Sequence, residues 1–415
     1  MKKKRLLLVT YYHPLANSIA SRRWRDMIPF LTSDYELSLF TPSLEKESPS
    51  SSNDAFRSLI NHFYESPKTL MTPQIQISDH QKSTKKWLRF IRLWVRPMAT
   101  LDQSWFTWFW PNRHAFLSFV HNCKPDLIIT SSGPFSSILF GRLSQKKYPH
   151  IPWLVDFRDP ASLSHFIDAK KYSWHCIFDQ MIDRYFTKNM SAFISVGQLM
   201  CDRLTSFYQK KGFLVRNGFD SKASVPISHS TPSEKKIIYY AGKIYPHRMD
   251  AFRCFLDALK LATDYHCHFR FIGSASEKKA LFEHVQRRNL SAQFSLLEPA
   301  SFTTVQEDCA KADCLLLLES LQSDIISRGT LTGKFYEYLP YTAPILAIAH
   351  QDSELRLLLK ESHRGHLCHC KDSITSFFLQ LPSKKQIKAS QLATFSRQQQ
   401  AETLKKHLKT VIKPS

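Results

Sequence analysis

Short apolar runs and helical apolar stripes alternate along most of the chain. RLLLVT at 5–10 has no polar alternation, the pattern of a strand covered on both faces in a parallel sheet. A polar loop from Tyr11 to Ile19 follows. Then 21–31 carries Trp24, Met27, Ile28 and Leu31 at helical spacing, and YELSLF at 35–40 predicts a second strand. Strand, loop, helix, strand is the opening of a doubly wound α/β domain. Buried-type strands are predicted at 126–130, 152–156, 191–196 and 213–216, with helices at 134–145 and 198–208.

The stretch 43–85 breaks this rhythm with Ser-rich polar sequence, which reads as long loops or an insertion. A second polar stretch, SKASVPISHSTPSEKK at 221–236, holds two prolines and many serines and is the best linker candidate. After it the alternation restarts. Strands are predicted at 237–241, 267–272, 294–297, 314–318 and 344–348, and helices at 249–262, 276–288, 302–312, 333–339 and 353–359. A basic terminal helix is predicted at 385–409. The expected organisation is a Rossmann-like domain over 1–220 with an insertion at about 43–100, a linker at 221–236, and a second Rossmann-like domain over 237–384. A C-terminal helical segment over 385–415 would pack back on the first domain.

The 415 residues are 43% hydrophobic and 22% charged, ordinary for globular domains and outside the range of disordered or collagen-like chains. Glycine is scarce, at 10 residues, and no two of them form G-x-G, so neither a dinucleotide fingerprint nor a Walker A loop is present. The formal net charge of +22 favours an anionic partner: nucleic acid, an acidic membrane face or phosphorylated substrates. Nine scattered cysteines predict a reduced, intracellular protein. The apolar run after MKKKR is too short for a signal peptide, and no stretch is long enough for a membrane-spanning helix, so a cytoplasmic location is expected.

One segment changes the charge argument. In KKWLRFIRLWVR at 85–96, Trp87, Phe90, Ile91 and Trp94 form a helical stripe, and Lys85, Lys86, Arg89, Arg92 and Arg96 fill much of the rest. Such a basic amphipathic helix suits an anionic membrane surface, and equally a helix packed on a sheet with its charges in water. Nucleic acid is the weakest of the three readings. The aromatic run SWFTWFW at 104–110 reads as core or as interface.

Candidate chemistry sits where α/β domains keep it, at the carboxyl ends of strands. Ser21, Arg22 and Arg23 open a predicted helix whose exposed amides favour an anion, or they form an ordinary cap with solvated arginines. KPDLIITSSGPFSS at 124–137 is a buried strand followed by a Ser/Pro loop. PWLVDFRDP at 152–160 ends in Asp156, Arg158 and Asp159. A carboxylate there orients or deprotonates a hydroxyl, or pairs with the arginine to fix the loop. Asn217-Gly218 is a sharp turn. YYAGKIYPHR at 239–248 places Gly242 where backbone can approach a phosphate, with Lys243 and Arg248 to supply charge. In GTLTGKFYEYL, Thr330 to Gly333 enter a helix whose first amides can hold a phosphate, and Glu337 lies one turn in, a carboxylate able to accept two bonds from a diol. HRGHLCHC at 363–370 lacks the C-x2-C spacing of a zinc site, and no G-x-S-x-G or H-E-x-x-H occurs.

On these segments the chain resembles the GT-B nucleotide-sugar glycosyltransferases, in particular the retaining bacterial branch known as family 4-like or group 1. The resemblance runs nearly end to end and is weakest at 43–100. It implies an α/β fold of two doubly wound Rossmann-like domains facing across a cleft, and a hexosyltransferase-like enzyme moving a sugar from a nucleoside diphosphate to an acceptor hydroxyl. The diphosphate would lie near Gly242, Lys243 and Arg248, the nucleobase over Gly273, and the ribose at Glu337. Thr330, Thr332, Gly333 and Lys334 would complete the donor loop. Asp159 and Arg158 would serve the reacting hydroxyl, and Ser21, Arg22 and Asn217 would line the acceptor side. On this reading no metal or resident cofactor is expected, since positive side chains and helix ends can stabilise the leaving diphosphate, and no nucleic-acid partner. The net charge and 85–96 suggest a saccharide or lipid-linked acceptor in surface polysaccharide or lipopolysaccharide synthesis, and an enzyme that is cytoplasmic or peripheral on the inner face of the plasma membrane, with 85–96 touching it. The chain departs from the family pattern in three places. Ile19-Ala20-Ser21 stands where Gly-Gly is common, the order at 243–248 is Lys then Arg, and Gly329 stands where many relatives carry a second Glu. The second functional class left open is a non-catalytic nucleotide- or nucleic-acid-binding protein on the same scaffold.

Overall fold

The computed structural model describes residues 2–16, 18–44, 51–67, 100, 102–158, 173–220, 235–382, 384 and 389–412. The segment 85–96, Asp159 and most of the 221–236 linker lie outside the described residues. Contacts divide the chain into two compact units, 1–216 with 400–415, and 217–399.

The first unit contains β1 (Lys4–Thr10), α1 (Ile19–Leu31), β2 (Tyr35–Pro42), α2 (Ser51–Arg57), β3 (His62–Ser66), a π-helical turn (Trp105–Phe109) running into α3 (Trp110–Cys123), and β4 (Leu127–Ser131). It continues through α4 (Ser136–Lys147), β5 (Trp153–Phe157), α5 (Ser173–Thr187), β6 (Ala192–Ser195), α6 (Gln198–Tyr208) and β7 (Gly212–Leu214). Its seven strands pair in the order β3-β2-β1-β4-β5-β6-β7, all parallel. Leu6, Leu7, Leu8 and Val9 are all within 3% of fully buried, which explains the unbroken apolar run: helices cover both faces of the sheet. The stripe Trp24, Met27, Ile28 and Leu31 is the buried face of α1.

The second unit contains β8 (Lys236–Gly242), α7 (Met249–Leu259), β9 (Tyr265–Phe271), α8 (Ala275–Gln286), β10 (Phe294–Leu297), α9 (Phe302–Lys311) and β11 (Cys314–Leu318). Then come α10 (Ile325–Gly329), α11 (Gly333–Tyr338), β12 (Ile345–Ile348), α12 (Leu355–Ser362), β13 (Gly365–Cys368), α13 (Lys371–Leu379) and α14 (Ala389–Leu392). Its parallel sheet has the order β10-β9-β8-β11-β12-β13. Helix α15 (Arg397–Val411) closes the chain, and its Ala401, Leu404 and Leu408 pack into the core of the first unit. In each sheet the strand order reverses once, between β1 and β4 and between β8 and β11. A doubly wound sheet opens a crevice at the carboxyl ends there.

Several regions differ from the sequence reading, and helices α3, α5 and α13 lie where it predicted no element. The stretch read as loop or insertion contains α2 and the edge strand β3, whose pairing to β2 comes from backbone bonds that its polar sequence does not advertise. The basic terminal helix is not continuous over 385–409. Ser396 is extended and its hydroxyl accepts the Gln399 amide at 3.1 Å, starting a new helix, while Leu392 and Phe395 bury in the second unit. The run at 104–110 is both core and surface: Trp108 is fully buried and donates to Ser66 Oγ at 2.7 Å, whereas Phe106 and Trp110 are exposed. Residues 365–368 of HRGHLCHC form the edge strand β13. Among the described residues no three His, Cys, Asp or Glu side chains group as metal ligands.

Candidate functional site

At the switch point of the second unit, β8 ends at Gly242 with φ +135°, a conformation that side chains rarely adopt. A Cβ on Gly242 would stand 2.5 Å from Lys334 Nζ, so the missing side chain makes room for that ammonium. Lys334, on the first turn of α11, donates to the Tyr240 hydroxyl at 3.2 Å and lies over the same ring, 4.6 Å from its centroid. Tyr240 in turn donates to the Lys243 carbonyl at 3.0 Å. Thr332 caps α11 by accepting the Lys334 amide, and Gly333 opens onto empty space.

Immediately past β11 stands Glu319, buried, with Oε2 2.9 Å from Arg248 Nη2. Burial pushes its carboxyl above the ordinary 4.5, while Arg248, Lys334 and the Thr332 amide pull the other way. Arg248 Nε and Glu319 Oε1 are both buried without a hydrogen-bond partner. The neighbouring His247 is held down to about 4 by burial and by the Arg248 charge. Lys243 leans outward to Glu277 at 3.0 Å. The Glu277 carboxyl falls to about 2, first because the Ser274 amide donates to it and then because of Lys243.

The structure therefore brings Gly242, Lys334, Thr332, Gly333 and Arg248 to one carboxyl edge, with Lys243 at its rim. It adds Glu319, which the sequence reading missed: a lone Glu after an apolar run has no motif of its own. Glu337 is exposed on α11. Gly273 is exposed beside Phe271 and Glu277. Two local features bear on the donor loop. The Thr330 hydroxyl donates to the Ile326 carbonyl at 2.7 Å, where it closes α10. And α11 is only six residues long, too short for a strong dipole, with the Thr332 amide turned to Glu319.

In the first unit the residues at the carboxyl edge are tied together more completely. Arg23 is not a solvated arginine. It is 2% exposed, and its Nε and Nη2 donate to both oxygens of Asp156 at 3.1 Å, while Nη1 and Nη2 also reach the Arg216 and Val215 carbonyls at 3.2 and 3.0 Å. Ser131 Oγ adds a bond to Asp156 at 3.3 Å. Helix α1 begins two residues before Ser21, at Ile19. Its cap is Ser18, whose hydroxyl bonds the buried Ser21 at 2.7 Å, so Ser21 is occupied within the first turn. Arg22 is half-buried, and Asn217 falls at the first residue of the second unit. Arg158 donates from Nη1 to the Ala20 carbonyl at 2.7 Å, and its Nε is buried without a hydrogen-bond partner.

A histidine that no motif flagged lies on the loop after β1. His13 is buried, its Nδ1 accepts the Leu15 amide at 3.1 Å, and its Nε2 therefore carries the proton given to Glu65 at 2.9 Å. Arg57 grips the same Glu65. The only signal in the sequence was its place just past the first strand, since Glu65 falls in the region where no element was predicted. Asp102, raised by burial, accepts the Phe135 amide at 3.0 Å and two bonds from Ser104.

No protein-family profile matches the chain. No curated protein sequence matches it either. Solved structures do. Sucrose-phosphate synthase from Thermosynechococcus elongatus superposes with a TM-score of 0.66 at 11% identity, covering 99% of each chain. A glycosyltransferase from Rickettsia africae matches with a TM-score of 0.62 at 12% identity over 100% of both chains. Anabaena HepE in complex with UDP matches with a TM-score of 0.62 at 11% identity, over 98% of this chain and 100% of that one. The chain thus has the GT-B fold, two parallel-sheet α/β domains, which it shares end to end with these proteins.

Proposed function

We propose that the chain is a glycosyltransferase that takes a sugar from a nucleoside diphosphate. The reading rests above all on the Arg248–Glu319 pair, buried yet unsaturated, beside the Lys334 ammonium at the β8/β11 switch point. Leaving buried donors and acceptors unpaired costs stability, and such groups are tolerated where a ligand or a mechanism uses them. Clustered Arg and Lys suit the charge that builds on a departing diphosphate, so the transfer needs no metal. The fold is shared with HepE, whose structure holds UDP.

In this reading Lys243, Arg248 and Lys334 hold the diphosphate, Gly242 and Gly333 let it approach, and Glu337 accepts the ribose hydroxyls. Thr332 orders the loop and Gly273 borders the base. The first unit takes the acceptor, with Arg158 and Asp159 near its hydroxyl. The transfer is of a hexose with retention, in surface polysaccharide or lipopolysaccharide assembly, on the inner face of the plasma membrane.

Thermal shift with UDP, GDP and ADP tests the donor, because a ligand that binds the native state raises the melting temperature. One diphosphate should raise it, and at the same nucleotide concentration Glu337→Ala should lower that rise. Radiolabelled sugar passing from the matching nucleotide to an acceptor would establish transfer. Binding without transfer under any acceptor would favour the non-catalytic reading.

A further inference from the structure

Helix α5 is inside out. Its buried positions are His175, Asp179, Asp183 and Thr187, spaced four apart and each no more than 1% exposed. Its exposed positions are Trp174, Ile177, Phe178, Met181 and Tyr185, at 38%, 60%, 42%, 62% and 55%. A surface helix ordinarily turns the opposite face outward. The inversion is held from outside the helix, because Asp179 Oδ1 accepts both the amide and the hydroxyl of Thr100, at 3.0 and 2.5 Å. Rolling the helix to hide its apolar side would pull a buried carboxylate from its donors.

Aromatic contacts join α5 to its neighbours. The Phe186 ring meets Trp105 at 5.4 Å and Phe135 at 6.1 Å, which brings the 105–123 helix and the start of α4 alongside. On that neighbour Phe106 and Trp110 are 63% and 59% exposed. Charge then selects the occupant. Residues 103–123 and 136–147 contain no Asp or Glu, and the two carboxylates of α5 are the buried ones, so no carboxylate of these three helices reaches water. Lys146, Lys147, Arg184 and Lys188 do. A second copy of this +22 chain would set two basic borders against each other, whereas an anionic surface attracts them. Trp174 and Tyr185 sit at opposite ends of the stripe, and amphipathic rings of this kind settle at the headgroup level.

We infer that the exposed face of α5, bordered by bases and free of carboxylates, docks on an anionic bilayer with the helix lying in the headgroup plane. This docking uses the first unit alone and does not depend on the nucleotide-sugar reading.

The test is co-sedimentation of the full, nucleotide-free chain with vesicles of phosphatidylcholine, with and without phosphatidylglycerol. Binding should need the anionic lipid and weaken with salt. Ile177→Asp with Met181→Asp should lower the partition coefficient about tenfold or more, because the apolar anchor is gone. Its melting temperature should stay that of the wild type, since both positions face water. Arg184→Glu with Lys188→Glu should also weaken binding and flatten its salt dependence. The 85–96 segment stays intact throughout, so vesicle binding undiminished in the double Asp variant would overturn the inference. So would absence of wild-type binding, charge variants that bind as the wild type does, or a dimer in sedimentation velocity that the double Asp variant loses.

Discussion

Arg23–Asp156 in the first unit and Arg248–Glu319 in the second are both buried ion pairs at the carboxyl ends of parallel strands, but only the first is saturated. Arg23 spends all three of its nitrogens on Asp156 and on two backbone carbonyls, and Asp156 takes a further bond from Ser131. Arg248 and Glu319 share one short contact and leave Nε and Oε1 without hydrogen-bond partners. The first pair is a clasp that fixes α1, β4, β5 and the end of the unit to one another. The second keeps bonding capacity in reserve at the point where the topology opens a crevice. From sequence alone Arg23, in the run SRRWR, reads as an anion ligand or a solvated arginine, and nothing there points to a buried clasp.

Breaking the clasp should have the largest effect. Asp156→Ala leaves a buried guanidinium unpaired and should cost about 3–5 kcal/mol in urea unfolding, with nucleotide binding retained in the fraction that stays folded. The other edge should respond in the reverse sense. Lys334→Ala and Glu337→Ala should each weaken nucleoside diphosphate binding about tenfold, near 1.4 kcal/mol by titration calorimetry, with little change in melting temperature. If either variant unfolds as Asp156→Ala does, the distinction between clasp and reserve fails.

Gly242→Ala should act on both properties at once. A side chain at φ +135° is strained by about 1–2 kcal/mol, and its Cβ would also displace the Lys334 ammonium. In a Lys334→Ala background the steric part should vanish while the backbone part stays, so a double-mutant cycle separates them. The smallest effect is on pH dependence. Burial raises the Glu319 carboxyl above 4.5, so it takes up its proton in the folded state before it does so in the unfolded chain. The associated stability is complete below pH 4.5 and disappears as pH rises through the raised value. Glu319→Gln, which keeps an amide oxygen for Arg248 to donate to, should remove that one step from the stability profile in urea unfolding across pH.

The strands and the α1 stripe were legible because burial on two faces or on one stripe leaves a period in the residues themselves, as at 5–10 and at Trp24, Met27, Ile28 and Leu31. Gly242 and Lys334 were legible as residue types at the ends of elements, though not as neighbours. Strand β3 was hidden because an edge strand is held by backbone bonds to β2, which polar side chains do not reveal. The orientation of helix α5 was hidden for a different reason. Its apolar residues sit at i, i+3, i+4 and i+7, the spacing of an inward stripe, and nothing local says that the face is turned to solvent.

The amino-acid order determined the alternation of strands and helices, the positive charge, and the places where polar residues follow buried strands. Those properties are local: they depend on periodicity and on which residue stands next to which. Only the tertiary structure decided which arginine is satisfied and which is not, that Lys334 fills the space a side chain at 242 would take, and that α5 shows its oily side. Each of these depends on partners far away in the chain, and bonding capacity is spent or left over only once those partners have been brought within hydrogen-bonding distance.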